Sequence, residues 1–116
     1  MSQYDIVLHV DKTDGSLNIA FTNAVNYAAA LDKKPFHMVL VVNSQAVMQL
    51  VEDNNKAVGH ALEKAVEAGL EIRVCRNALE STGTGEEDLH PACKVVPAGL
   101  VEIVNLQRKG YAYIKP

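Results

Sequence analysis

The segment over residues 70–79 decides the fold, and it reads Leu-Glu-Ile-Arg-Val-Cys-Arg-Asn-Ala-Leu. Apolar and polar residues alternate as far as Cys75, which is typical of a β-strand with one buried face and one half-exposed face. The pattern predicts a turn and a helix start directly after Cys75. Because ligands and chemistry lie outside the carboxyl ends of the strands in open parallel α/β sheets, Cys75 is predicted to stand at a functional edge.

The rest of the chain alternates between strand-like and helix-like segments. Apolar runs of strand length occupy residues 6–10, 36–42, 93–96 and 111–114. Apolar side chains recur every three or four residues over 17–31, 47–51, 57–66 and 100–106, which indicates amphipathic helices. This alternation predicts an α/β fold with three α/β/α layers around a mostly parallel five-stranded sheet, of Rossmann-like or flavodoxin-like type.

Local signals predict where several elements begin and end. Ser16 is placed to cap the helix that follows it, and Gly69 is placed to end the helix before the central segment. Thr84 and Glu87 match a capping box, which predicts another helix start. Asp53-Asn54-Asn55 is predicted to separate two helices.

Length and composition limit the class of protein. The chain has 116 residues, 48% of them hydrophobic, which suits one domain spanning residues 1–116. The net charge of −3, from 11 basic and 14 acidic residues, argues against a nucleic-acid partner. No apolar run approaches the roughly 20 residues of a membrane helix, so no membrane partner is expected. The first five residues lack the basic segment of a signal peptide, and we therefore expect a cytoplasmic protein with reduced cysteines.

The sequence lacks several motifs that are typical of cofactor-binding proteins. The loop after the first strand, residues 11–16, holds one glycine and matches neither a P-loop nor a dinucleotide-binding pattern. Histidines and cysteines show no spacing typical of zinc sites. We therefore expect no cofactor and no metal, and a small-ligand or nucleotide site at the sheet edge is the weakest of three hypotheses.

Cys75 is open to two interpretations. A cysteine just before a helix N-terminus meets N–H groups and a positive dipole end, which favour the reactive thiolate. Arg73 and Arg76 are expected to add positive charge nearby. The alternative is a small buried residue, the common state of free cysteine. Cys93 begins a strand and is predicted to lie at the opposite edge, which disfavours a disulfide between the two.

Parallel strands gather their carboxyl ends at one edge, so the residues that follow them are expected to lie together. This set comprises His9, Asp11, Asn43, Ser44, residues 75–77 and residues 97–99. For His9 we favour a core histidine with satisfied nitrogens. The alternative is a proton partner for Cys75, which requires the first and third strands to be neighbours. Tyr111 and Tyr113 are candidates either for an interface between subunits or for packing under a helix.

Three segments resemble the DsrE/DsrF-like family. Residues 75–79, Cys-Arg-Asn-Ala-Leu, resemble its C-x-N-x-L segment. Residues 95–102, Val-Val-Pro-Ala-Gly-Leu-Val-Glu, and residues 110–116, Gly-Tyr-Ala-Tyr-Ile-Lys-Pro, resemble the single-domain branch of the family. The resemblance extends over essentially the whole chain, in the same order of elements.

The resemblance implies a homotrimer or a hexamer of two trimers. It also implies a small sulfurtransferase or sulfur carrier that holds sulfur as a persulfide and exchanges it with donor and acceptor proteins. Cys75 and Asn77 match the family's cysteine and asparagine, whereas Ala78 stands where members often have threonine. The competing hypothesis is a non-catalytic, oligomeric binding or scaffold module of the same fold.

Overall fold

A computed structural model of the chain describes residues 2–53 and 56–116. Two segments of 3-10 helix, Ser44–Leu50 and Glu86–Asp88, accompany its main helices and strands. The main elements follow in chain order: β1 (Ile6–Val10), α1 (Ser16–Leu31), β2 (Met38–Val42), α2 (Lys56–Glu67), β3 (Leu70–Cys75), α3 (Arg76–Thr82), β4 (Cys93–Val96), α4 (Gly99–Arg108) and β5 (Ala112–Ile114).

The five strands form one sheet in the order β4-β3-β2-β1-β5. Every neighbouring pair is parallel, and the register places Leu8 beside Leu40 and Leu40 beside Ile72. The predicted α/β fold with a five-stranded parallel sheet is therefore confirmed. The order follows from right-handed crossovers that move outward from β1 to β4, after which α4 carries the chain back to the far side of β1.

Two hydrophobic clusters show that helices cover both faces of the sheet. The larger cluster joins one face of the strands to apolar residues of α1, α2 and α3, with Phe21 and Leu62 among the fully buried side chains. The smaller cluster joins Val7, Val39 and Val41 on the other face to Ile103 and Leu106 of α4. Because β1 and β2 are buried on both faces, their sequences are apolar without alternation.

The structure confirms one of the predicted element boundaries and shifts several others. Gly69 adopts a positive φ of 118°, as expected for the end of α2. Ser16 is the first residue of α1 rather than its cap, because Gly15 occupies the cap position. The second strand begins at Met38, two residues later than predicted, and the helix predicted over residues 47–51 is a 3-10 helix. The predicted break at Asn54 and Asn55 lies outside the described residues.

The capping-box prediction is wrong. Thr84 N donates to the carbonyl of Leu79 at 2.9 Å, so Thr84 belongs to the end of α3. Its hydroxyl pairs with that of Thr82 at 2.7 Å. The 3-10 turn at Glu86–Asp88 has no side-chain cap. Among the elements built from residues 2–53 and 56–116, no helix combines the length and the apolar character needed to cross a lipid bilayer.

Candidate functional site

Cys75 lies where the sequence predicts it, at the last position of β3 and directly before α3. The residue is 7% exposed and lines an open pocket of about 380 Å³. Asn77, in the first turn of α3, is exposed and lines the same pocket. The predicted gathering of strand ends is confirmed for most of its members, since the pocket wall also includes Asn43, Ser44, Ala98 and Gly99.

The first turn of α4 comes very close to Cys75, and Gly99 makes this approach possible. A Cβ on Gly99 would lie 3.2 Å from Cγ1 of Val41 and 3.4 Å from the Cβ atoms of both Asn43 and Cys75. A larger residue would require the neighbouring side chains or the start of the helix to shift. Cys75 therefore lies near the N-terminal ends of both α3 and α4, whose dipoles favour an anionic sulfur.

A second pocket of about 660 Å³ adjoins the first and shares Ser44 and Ser81 with it. Asp11 and Thr13 of the loop after β1 line this second pocket, so Asp11 lies beside the cysteine pocket rather than in it. Ser44 has a φ of 54°, a left-handed conformation that glycine adopts more readily than serine. Such strained backbone is frequent at functional sites. The sequence analysis did not identify Ser81, which carries no distinguishing local signal.

The two arginines near Cys75 do not supply unbalanced charge, contrary to expectation. Arg73 forms ion pairs with Glu71 at 2.9 Å and with Glu102 at 2.8 Å. Arg76 pairs with Glu86 at 3.1 Å. Partial burial opposes ionisation of both Arg73 and Glu71, but their mutual hydrogen bonds and charges outweigh it, so the pKa of Arg73 is raised and that of Glu71 is lowered. The N-terminal ends of α3 and α4 are features beside the thiol that favour an anion.

His9 is not the proton partner of Cys75, because β2 lies between β1 and β3. Its Nδ1 lies 2.7 Å from the hydroxyl of Tyr113, and its Nε2 lies 2.9 Å from Oδ1 of Asn43. The ring is buried, with 7% exposure. The prediction of a core histidine with satisfied nitrogens is thus confirmed. The contact with Tyr113 could not be anticipated, because it depends on β1 and β5 being neighbours.

Cys93 differs from Cys75 in position and chemistry. It opens β4 opposite Ile72, whereas Cys75 pairs with Val96 at the other end of that strand. Three residues of parallel strand separate these positions by roughly 10 Å, and both cysteines are free. Burial raises the pKa of the Cys93 thiol to about 12. Cys93 therefore stays a neutral thiol at physiological pH.

The two tyrosines of the last segment have different environments. Tyr111 packs against the smaller hydrophobic cluster, and its hydroxyl contacts Nδ1 of His37. Tyr113 is 40% exposed on β5 and contacts His9. Tyr111 thus fits the packing alternative, whereas the surface alternative stays open for Tyr113. Within residues 2–53 and 56–116, no group of three or more His, Cys, Asp or Glu side chains is arranged to hold a metal ion.

The chain is an α/β protein with a parallel sheet and a cysteine at the end of its third strand. Comparison with known families assigns it more specifically. The DsrE/DsrF-like family matches residues 4–116. The chain therefore belongs to the DsrE/DsrF-like family. No functionally curated protein matches the chain.

Solved structures support the same fold. MTH1491 from Methanobacterium thermoautotrophicum, a protein of unknown function, is 29% identical, with a TM-score of 0.86 over 97% of this chain and 99% of that one. The ychN protein of E. coli is 13% identical, with a TM-score of 0.76 over 97% of this chain and 99% of that one. BT1422 from Bacteroides thetaiotaomicron, also of unknown function, is 13% identical, with a TM-score of 0.76 over 97% and 94%. The two more distant likenesses show the fold alone.

The close approach at Gly99 generates a stability prediction. Gly99→Ala places a methyl group 3.2 Å from Val41, and we expect a loss of about 1 kcal/mol in the free energy of unfolding because the first turn of α4 must shift. Gly59→Ala is the matched control, since nothing lies within 4 Å of that position in α2, and it should gain about 0.5–1 kcal/mol. Urea unfolding measures both, and equal gains in the two variants would contradict the close approach.

The raised pKa of Cys93 generates a labelling prediction. In a Cys75→Ser variant, iodoacetamide at pH 9 should leave Cys93 largely unmodified while the protein is folded, because the thiol is half-buried and its pKa is raised to about 12. The same sample in urea should be labelled fully. Intact-mass spectrometry measures both states, and rapid labelling of the folded protein would show that Cys93 is accessible and ionised.

Proposed function

We propose that this protein is a sulfur carrier that holds sulfane sulfur as a persulfide on Cys75. One observation carries the proposal: Cys75 ends β3 at the start of α3 and lines an open pocket under the first turn of α4. Membership of the DsrE/DsrF-like family favours a role related to sulfur relay. A persulfide carrier needs reduced thiols, so a cytoplasmic location is part of the proposal.

The proposed reaction is an exchange without net oxidation. The Cys75 thiolate attacks the outer sulfur of a donor persulfide, R–S–SH. A new S–S bond forms on Cys75, the S–S bond of the donor breaks, and the donor leaves as the thiolate R–S⁻. The product on this protein is Cys75–S–SH, which a thiolate of the acceptor attacks in the same way, returning Cys75 to its thiolate. The protein needs to supply a stabilised anion and room for one extra sulfur.

The pocket around Cys75 suits both requirements. Its volume of about 380 Å³ leaves space for a second sulfur and for the approaching donor group. Asn77 stands two residues beyond Cys75 on the exposed wall of the pocket, where its amide can donate to a bound sulfur anion. Ala78, buried in the core, offers no hydroxyl for this purpose.

We further propose that the protein works as a homotrimer or as a hexamer of two trimers, and that it exchanges sulfur with separate donor and acceptor proteins. Exposed apolar residues on α4 and β5 support an interface, because clustered exposed apolar side chains mark interaction sites. Leu100, Val101 and Val104 of α4 are 64%, 56% and 48% exposed. Tyr113 and Ile114 of β5 are each 40% exposed.

The second candidate is a binding or scaffold module in which Cys75 only packs. The low exposure of Cys75 favours this candidate, together with its place in the larger hydrophobic cluster beside Ala78 and Leu79. It predicts slow modification of Cys75 in the folded protein. The sulfur-carrier proposal instead requires a native thiolate that small reagents reach through the pocket.

Sulfur loading tests the proposal directly. After incubation with a low-molecular-weight persulfide, the wild-type protein should gain about 32 Da in intact-mass spectra, the mass of one sulfur atom. Dithiothreitol should remove the added sulfur, because persulfides are reducible. Cys75→Ser should abolish the gain. Cys93→Ser is the matched control and should load like the wild type, since Cys93 stays protonated.

The same experiment separates the two candidate functions. If the wild type gains no sulfur and Cys75 is alkylated only after unfolding, the scaffold function is correct. If Cys75→Ser still gains sulfur at the wild-type rate, the persulfide is not carried on Cys75.

The proposed assembly has its own test. Multi-angle light scattering at micromolar concentration should report about three or six times the chain mass of 12.6 kDa. Replacing Val101 and Val104 together by lysine should reduce the mass, because two charges would enter the apolar patch on α4. A wild-type protein that elutes as a 12.6 kDa monomer would contradict the assembly.

A further inference from the structure

His9 is the buried titratable group that the proposed reaction leaves without a role. It lies on the face of the sheet covered by α4, one position before the end of β1. Its ring is 7% exposed, and hydrogen-bonding groups face both nitrogens. Burying a polar ring inside an apolar strand costs stability unless it is fully satisfied. Both partners of the ring are side chains, so His9 can hold them in place.

The hydrogen bonds of His9 fix the orientation of the Asn43 side chain. Oδ1 of Asn43 only accepts, so Nε2 of His9 carries the ring proton and donates it at 2.9 Å. Nδ1 forms the second hydrogen bond of the ring, with the hydroxyl of Tyr113 at 2.7 Å. With its oxygen turned toward His9, the Asn43 amide directs its nitrogen away from His9. Within residues 2–53 and 56–116, the side-chain hydrogen bond that the structure describes for Asn43 is the one from its Oδ1 to His9.

Asn43 and Cys75 stand close together in the same pocket. Their Cβ atoms each lie 3.4 Å from the position that a Cβ on Gly99 would take, so their separation is at most twice that distance. Both residues line the pocket. The backbone of Asn43 is anchored as well, because its N–H donates to the carbonyl of Val10 at 3.1 Å. An amide and a persulfide extending from these two positions can meet.

We propose that the amide nitrogen of Asn43 donates a hydrogen bond to the anionic sulfur on Cys75, and that His9 and Tyr113 are positioning residues that hold the amide in this orientation. The inference rests on the proposed persulfide function, because it assigns these residues to the same site. The anion is the thiolate before sulfur is loaded and the persulfide afterwards. A donor to the charged form favours that form over the neutral one.

Three cationic side chains around the site are engaged in ion pairs. Arg73 is held by Glu71 and Glu102, and Arg76 is held by Glu86. Lys115 pairs with Asp11 at 2.6 Å. The amide of Asn43 therefore complements the N-terminal ends of α3 and α4 in stabilising an anion on Cys75.

The chain offers a matched pair of histidines for the test. His37 also contacts a tyrosine hydroxyl, that of Tyr111, but it precedes β2 and so lies at the opposite end of the sheet. His9→Leu frees Asn43 to turn its oxygen toward the pocket, while His37→Leu makes the same chemical change away from Cys75. Asn43→Asp keeps an acceptor for His9 and replaces the amide donor by a second oxygen.

The measurement is the pH dependence of Cys75 alkylation in folded protein, on a Cys93→Ala background. His9→Leu should raise the midpoint by about one pH unit, which corresponds to roughly tenfold slower alkylation at a fixed pH below the midpoint. Asn43→Asp should raise it at least as far, because its carboxylate also repels the thiolate. His37→Leu should leave the midpoint unchanged. A general loss of packing would instead expose the thiol and speed its alkylation.

The outcomes separate this inference from the proposed function. An unchanged midpoint in folded His9→Leu, or an equal rise in His37→Leu, overturns the positioning role. If His9→Leu fails to fold, Asn43→Asp decides, and an unchanged midpoint there overturns the inference. A wild type that loads sulfur while all midpoints coincide means that only the inference fails. If the wild type loads no sulfur although the midpoints shift as expected, the persulfide function fails. Asn43 then stabilises a Cys75 thiolate that has another function.

Discussion

The structure depends on one constraint: the strands β1 and β2, apolar apart from His9, are buried on both faces and must be covered on both. Their central residues, such as Leu8, Val39 and Leu40, are at most 1% exposed. Helices α1, α2 and α3 cover one face, which leaves α4 alone to cover the other. To do so, α4 must start at the carboxyl edge and run back across the sheet. Its first turn therefore comes to lie beside Cys75, where a Cβ at position 99 would be only 3.2 Å from Val41.

One helix does not span the whole width of a five-stranded sheet, and a polar network lies on each side of α4. Glu71, Arg73 and Glu102 form one network beside α4, on the β3 side. His9, Tyr113 and Asn43 form the other, on the β5 side. Because both networks are only partly screened by α4, their members balance one another's charge and hydrogen-bonding needs. The second network ends at Asn43 in the cysteine pocket, so hydrogen bonds connect the edge strand β5 to the candidate site.

The sequence and the structure disagree where a pattern has more than one physical use. Thr84 and Glu87 have the spacing of a capping box, but Thr84 is already engaged in ending α3. Arg73 and Arg76 are cationic, yet carboxylates from β3, α4 and the 3-10 turn before Leu89 neutralise them. Those carboxylates are distant in sequence or have alternative partners, so residue types near Cys75 could not reveal the net field at the thiol.

The sequence by itself determined the α/β class, the parallel sheet and the position of Cys75, because periodicity, strand length and turn residues are local properties of the chain. It also placed Asn43, Cys75, Asn77 and Gly99 at one edge, since all parallel strands end on the same side. Only the tertiary structure decided the strand order. That order separates His9 from Cys75 by one strand and joins it to Tyr113 and Asn43 instead. Strand order depends on which crossover passes over which face, and that is settled by packing between residues far apart in the chain.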